Sequence, residues 1–154
     1  MDMATKRRKM AVLMLSTSFM KGHSKAGKPT EFMHKLLAGT KLHTIRGNFE
    51  WWQSKAEKIN AGEMYLSIRQ WSGKPYRSQQ VEIGRLYELQ VQRFETVYGS
   101  TDALPRVWVD GCEVADVEQV AHNDGLELED WMEWFFKHTN HFEGAVLQFT
   151  KFKY

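Results

Sequence analysis

The sequence predicts an α+β fold, a small mixed β-barrel decorated by helices, and three observations carry that expectation. Short apolar or alternating runs bounded by turn residues recur through the middle of the chain and outnumber its helical stretches. Two segments repeat apolar residues at helical spacing instead: Phe32, Met33, Leu36 and Leu37, and later Leu128, Trp131, Met132, Phe135 and Phe136. Between them, Val107-Trp108-Val109-Asp110-Gly111-Cys112-Glu113-Val114 sets Asp-Gly among alternating apolar residues, which favours a type I′ hairpin. The 154 residues, 42% of them apolar, suffice for one domain with a packed core.

Residues 1–9 read as a disordered basic tail and residues 10–154 as a single domain, because no repeat, low-complexity stretch or linker divides the chain. Residues 10–16 form the expected first strand, with Ala11 to Leu15 buried, and the Gly/Lys-rich stretch from Lys21 to Lys28 a loop. Pro29 and Thr30 start a helix that Gly39 ends as a left-handed cap. Leu42 to Arg46 is a strand, Trp51 to Ile59 a short helix with at least one of Trp51 and Trp52 in the core, and Met64 to Trp71 a strand. Tyr65, Ser67, Arg69 and Trp71 share one face of it. Ser72-Gly73-Lys74-Pro75 is turn chemistry. Val81 to Val97 holds one long strand or two, with Gly84 as a bulge. Asp116 to Asn123 is helical and breaks at Asp124-Gly125, the last amphipathic helix follows, and Ala145 to Tyr154 closes the chain as a strand.

Charge is unevenly spread. Residues 1–93 carry 17 Lys/Arg against 7 Asp/Glu, a balance of +10, whereas residues 94–133 carry Arg106 against 11 acids, a balance of −10. A basic front half suits a phosphate-bearing partner, and the acidic stretch is either a solvated helical face or a docking surface. The single cysteine, Cys112, excludes an internal disulfide and any cysteine-rich zinc site, and fits a reducing cytoplasm. Lys6 to Lys9 followed by Met10 to Leu15 imitates a secretory signal, but six apolar residues fall short of the roughly 7–15 required. No segment approaches the roughly 18 apolar residues of a membrane span.

The chemistry concentrates in Gly39-Thr40-Lys41-Leu42-His43-Thr44-Ile45-Arg46. A threonine hydroxyl is a poor nucleophile until a base takes its proton, and a lysine can be that base only when burial or a neighbouring cation lowers its pKa. Residues three apart on a regular strand point to opposite faces, so Lys41 and Thr44 converge only if Lys41 sits in the turn or the strand is bulged. Thr44 and Arg46, two apart, share a face. An ordinary strand with a snorkelling lysine is the bland alternative.

This G-x-K-x-x-T-x-R pattern, preceded by a helix ending in Leu36-Leu37-Ala38, resembles the signature of the ASCH domain, a small β-barrel related to the PUA fold. The resemblance covers residues 30–71 and, more loosely, the region from 116; Ile59-Asn60-Ala61-Gly62-Glu63 resembles the family's Gly-acid turn entering a strand. It implies recognition of RNA, a nucleoside or a nucleotide, with Gly39, Lys41, Thr44 and Arg46 around the pocket; His43 lies inside the motif where the family enzymes' pattern does not require histidine, and is either a further ligand contact or a structural histidine. Alternatively, it implies amide hydrolysis on N4-acetylcytidine, with Thr44 as nucleophile, Lys41 as its activator and an acid as proton shuttle. The matching acid is Asp124, where the family enzyme has glutamate, one methylene longer. Neither reading calls for a cofactor.

A second constellation, Arg69, Trp71, Lys74, Tyr76 and Arg77, offers phosphate-binding cations beside aromatic rings that can stack on bases, a combination suited to single-stranded RNA. The bland alternative is a polar hairpin tip with Trp71 packed inward. His138 and His141 are three apart but have no evident third ligand, so no metal site is expected. The sequence thus supports an ASCH-type RNA or nucleotide binder first, an amidohydrolase second, and a protein-interaction module using acidic residues 126–137 third.

Overall fold

The computed structural model describes residues 7–154. Most of the expected tail lies outside them, and its last member, Lys9, already belongs to the first strand. The elements run β1 (Lys9–Met14), α1 (Phe32–Leu37), β2 (His43–Arg46), α2 (Phe49–Asn60), β3 (Met64–Trp71), β4 (Gln80–Leu86), β5 (Gln90–Val97), β6 (Arg106–Val109), β7 (Cys112–Val114), α3 (Val117–Asn123), α4 (Leu128–Phe136) and β8 (His141–Gln148). The fold is mixed α+β, and no described helix is long and apolar enough to cross a membrane.

The strands form two sheets, ordered β1-β3-β4 and β2-β8-β5-β6-β7. Among the described residues, strand pairing does not close them into the expected barrel. The edge strands β1 and β2 meet through a side chain instead of a backbone ladder, as Arg46 Nη2 donates to Met14 O at 2.6 Å. β1 and β3 are parallel, in register Lys9↔Met64 to Met14↔Arg69, with α1, β2 and α2 in the crossover. Alternation decides which face is buried. Ala11 and Leu13 of β1 and Leu66 and Ile68 of β3 are core residues.

Several boundaries differ from the expected ones for local reasons. α1 begins at Phe32 instead of Pro29 because Thr30 is engaged elsewhere, its hydroxyl donating to Ser16 O at 2.8 Å. Val81 to Val97 is two strands in different sheets, turned at Leu89, whose N–H and C=O both bond the Asn60 side chain at 2.9 Å. The β3–β4 register shifts beside Gly84. β8 starts at His141 and stops at Gln148. It pairs with β5 along its full length, after which Phe149 N donates to Leu42 O at 2.9 Å and the chain leaves the ladder. Asp110 and Gly111, at φ 50° and 81°, form the expected β6–β7 turn.

α4 packs Trp131, fully buried, against Phe94, with Phe135 and Phe142 completing an aromatic cluster. Burying side chains of this size contributes roughly 1.5–3 kcal/mol each. Trp52 is core and Trp51 exposed. The basic loop from Lys21 to Lys28 is stitched onto the acidic helix: Lys25 Nζ donates to Asp130 at 2.7 Å, and Ser24 Oγ to Glu133 at 2.6 Å. Part of the charge asymmetry along the chain is therefore compensated inside the fold.

Candidate functional site

Gly39, at φ 79°, ends α1 and reverses the chain, and the N–H groups of Thr40 and Lys41 then both bond Lys35 O, at 2.9 and 3.0 Å. That turn holds Lys41 outside β2, which begins at His43. The alternation that would separate Lys41 from Thr44 on a continuous strand therefore does not apply. From the far end of the chain, α3 terminates at Asp124, and Leu42 N donates to Asn123 O at 2.7 Å, locking that terminus beside the turn.

The result is a cleft of about 150 Å³ lined by Lys41, Thr44, Arg46 and Asp124, with Phe32 and Trp134, whose ring centroids are 6.0 Å apart, also on its wall. Lys41 is 2% exposed; its ammonium donates to Asp124 O at 2.5 Å, lies 3.3 Å from the Asp124 carboxylate, and sits 4.2 Å over the Phe32 ring. Thr44 Oγ1 accepts from Arg46 Nε at 3.4 Å, so its contact is with the guanidinium; the hydrogen bonds of the ammonium go to Asp124. Burial pushes the Lys41 pKa down, partly opposed by Asp124 and reinforced by Arg46 and Lys35. Burial also lowers Arg46, which Asp124 partly counters. The cleft thus combines hydrogen-bond donors and one carboxylate with an apolar wall of Phe32 and Trp134.

His43 belongs to the opposite face of β2 and is fully buried behind the cleft. Its Nδ1 lies 3.6 Å from Asp124 Oδ1 and its Nε2 lies 2.7 Å from the Tyr154 hydroxyl. Burial lowers its pKa, against the pull of Asp124. Gly125 follows Asp124 at φ 89°, where an added Cβ would stand 3.2 Å from Lys41 Cδ and from the Phe32 ring.

Arg69, Trp71, Lys74, Tyr76 and Arg77 do not line this cleft; they belong to β3 and the β3–β4 connection. Arg69 is engaged by Ser67 and Gln80, at 2.9 Å each, while Tyr76, 88% exposed, lies 5.1 Å from the Trp71 ring. Met14 is level with Arg69 and the strands are parallel, so this hairpin leaves the sheet at the end where Ser16 lines the cleft. His138 and His141 part company: His141 opens β8 and bonds Glu95 at 2.7 Å, with Glu143 3.6 Å away. A larger groove of about 820 Å³ lies between the β4–β5 turn and the segment after β8, and shares no residue with the cleft. Sequence reasoning read Phe32 only as an apolar helix residue, did not single out Trp134, which falls off the stripe of the last helix, and gave Tyr154 no role beyond ending a strand. Comparison with known protein families, with curated proteins and with solved structures finds no match to this chain.

Proposed function

We propose that this chain is an ASCH-type, PUA-like domain whose cleft binds a nucleobase or nucleotide of RNA. The observation that carries the reading is the convergence of Lys41, Thr44, Arg46 and Asp124, residues up to 83 positions apart, on one aromatic-walled hollow. Arg46 and Thr44 suit the acceptors of a base and Asp124 a ring or amino N–H, while Phe32 and Trp134, packed on each other at 6.0 Å between ring centroids, give the hollow an apolar wall. At about 150 Å³ the space suits a single base, so sugar and phosphates stay outside. Lys74 and Arg77 on the neighbouring hairpin are exposed cations that suit those phosphates, and Trp71 with Tyr76 supplies a stacking platform. The one cysteine, exposed Cys112, suits a cytoplasmic setting. Calorimetric titration with cytidine and a short single-stranded RNA tests the reading: binding that Arg46→Ala abolishes supports it, and a folded protein that takes up neither ligand overturns it.

Hydrolysis of an acylated cytidine is the second reading, favoured specifically by the Lys41–Asp124 contact. A lysine whose pKa burial has lowered can take the proton of the Thr44 hydroxyl as it attacks the acyl carbon, and the Asp124 carboxylate beside it can accept that proton from the resulting ammonium and pass it to the amine that departs as the C–N bond breaks. Turnover of N4-acetylcytidine that Lys41→Ala removes would establish it.

A further inference from the structure

Behind the cleft a chain of polar groups that its lining does not require runs inward from exposed Gln119 to buried His43. Gln119 Nε2 meets Asn123 Oδ1 at 2.7 Å, Asn123 Nδ2 meets the Tyr154 hydroxyl at 3.0 Å, and that hydroxyl meets His43 Nε2 at 2.7 Å. Beyond the imidazole, Nδ1 has no partner within hydrogen-bond distance and faces Asp124 Oδ1 at 3.6 Å. Tyr154 is itself pinned, because Gln92 accepts from its N–H at 3.1 Å and donates to its carbonyl at 3.0 Å.

The direction in which this chain donates follows from electrostatics. If His43 carried its proton on Nε2, the tyrosine would accept it and the Nδ1 lone pair would face a carboxylate, two negative ends together in a dry interior. With the proton on Nδ1, the tyrosine donates to Nε2, accepts from Asn123, and an N–H faces Asp124. Gln119, at the other end, is exposed and its amide can turn either way at little cost, so the buried carboxylate end sets the direction.

We propose that His43 and Tyr154 are positioning residues for the cleft: the Asp124 carboxylate selects the Nδ1–H tautomer of His43, the tyrosine hydroxyl donates to the bare Nε2 and fixes the ring, and the Nδ1–H keeps the carboxylate turned toward Lys41. The functional consequence rests on the cleft being the binding site, while the tautomer does not. Long-range proton–nitrogen correlation spectra of the histidine-labelled chain, without ligand, are expected to show His43 protonated on Nδ1 and bare on Nε2. Asp124→Asn, which removes the charge that Nδ1–H faces, is expected to move the proton toward Nε2, whereas Tyr154→Phe, which deletes only the donor to Nε2, is expected to keep the tautomer and shift the Nε2 resonance toward that of an unbonded lone pair. A wild-type Nε2–H tautomer, a tautomer unmoved by Asp124→Asn, or an Nε2 resonance unmoved by Tyr154→Phe overturns the proposal. In cytidine titrations, His43→Asn keeps an N–H near the Nδ1 position and is expected to bind within a few-fold of wild type, whereas His43→Phe weakens binding about tenfold. Equal binding by the Asn and Phe variants would also overturn it. Absence of cytidine binding in the wild type would defeat the binding reading alone, because the tautomer is read in the free protein.

Discussion

The Lys41 ammonium and the Asp124 main chain meet at 2.5 Å across 83 residues, joining the turn after α1 to the end of α3. Both side chains are buried, with the carboxylate 3.3 Å from the ammonium. Removing one partner of a buried pair strands the other, which costs about 3–5 kcal/mol, whereas replacing both by apolar groups is often close to neutral. Asp124→Ala should therefore lower unfolding free energy by about 3 kcal/mol. In denaturant titrations, the double variant Lys41→Met/Asp124→Ala should lose less than the sum of the single losses, with a coupling of about 1–3 kcal/mol. Additive losses would mean that the two groups do not depend on each other.

Two glycines are expected to tolerate no side chain. A Cβ on Gly144 would collide with the Arg46 carbonyl, backbone against backbone in the β2–β8 pair, so neither strand can yield cheaply. Gly144→Ala should cost about 3 kcal/mol or more. Gly125→Ala combines the strain of φ 89° with crowding of Lys41 and Phe32, and should cost about 1–3 kcal/mol. Urea midpoints at unchanged slope would check both, and cytidine affinity should fall with Gly125→Ala because the crowding reaches the cleft.

Lys41, Thr44 and Arg46 were legible as a group because the motif is local: a glycine that ends a helix, a turn, and a strand whose alternate residues share a face. Asp124 was legible through the Asp-Gly break between two helical patterns. The division into two sheets was not, because Gly84, Asn60 and Leu89 decide it through a bulge and a side-chain clamp that leave no periodic trace. Tyr154 was read as the end of a strand. Its bonds to His43 and Gln92 span 111 and 62 residues, and no local pattern encodes such pairings. Nor did charge counting see that Lys25 and Ser24 occupy two carboxylates of the acidic helix, leaving a smaller free acidic surface for a protein partner.

His43 should shape the acid limb of stability. Its folded pKa lies below the ordinary 6.5, chiefly through burial, so below pH 6.5 the unfolded chain binds a proton that the folded chain does not. Stability is thus full above pH 6.5 and declines as pH falls toward the lowered folded value, by up to about 1.4 kcal/mol per pH unit for one such proton. Asp124 opposes the shift and Lys41 strengthens it, so both neighbours belong in the comparison. Unfolding free energy measured between pH 7 and 5 should fall more steeply in the wild type than in His43→Asn. Parallel curves would show that this imidazole does not enter the balance.

The β3–β4 hairpin gives a prediction separable from the cleft. Lys74 and Arg77 are exposed and, having no ion pair among the described residues, are free to neutralise phosphates. Each phosphate contact on a single strand releases about 0.7 of a counterion, which appears as a slope of affinity against salt. In anisotropy titrations of a labelled single-stranded RNA at several salt concentrations, Arg77→Ala should weaken binding at low salt and flatten that slope by about 0.7. Arg46→Ala acts on the base inside the cleft, so it should weaken binding by a similar factor at every salt concentration. Opposite behaviour of the two variants would exchange their roles, placing the phosphates in the cleft and the bases on the Trp71–Tyr76 platform.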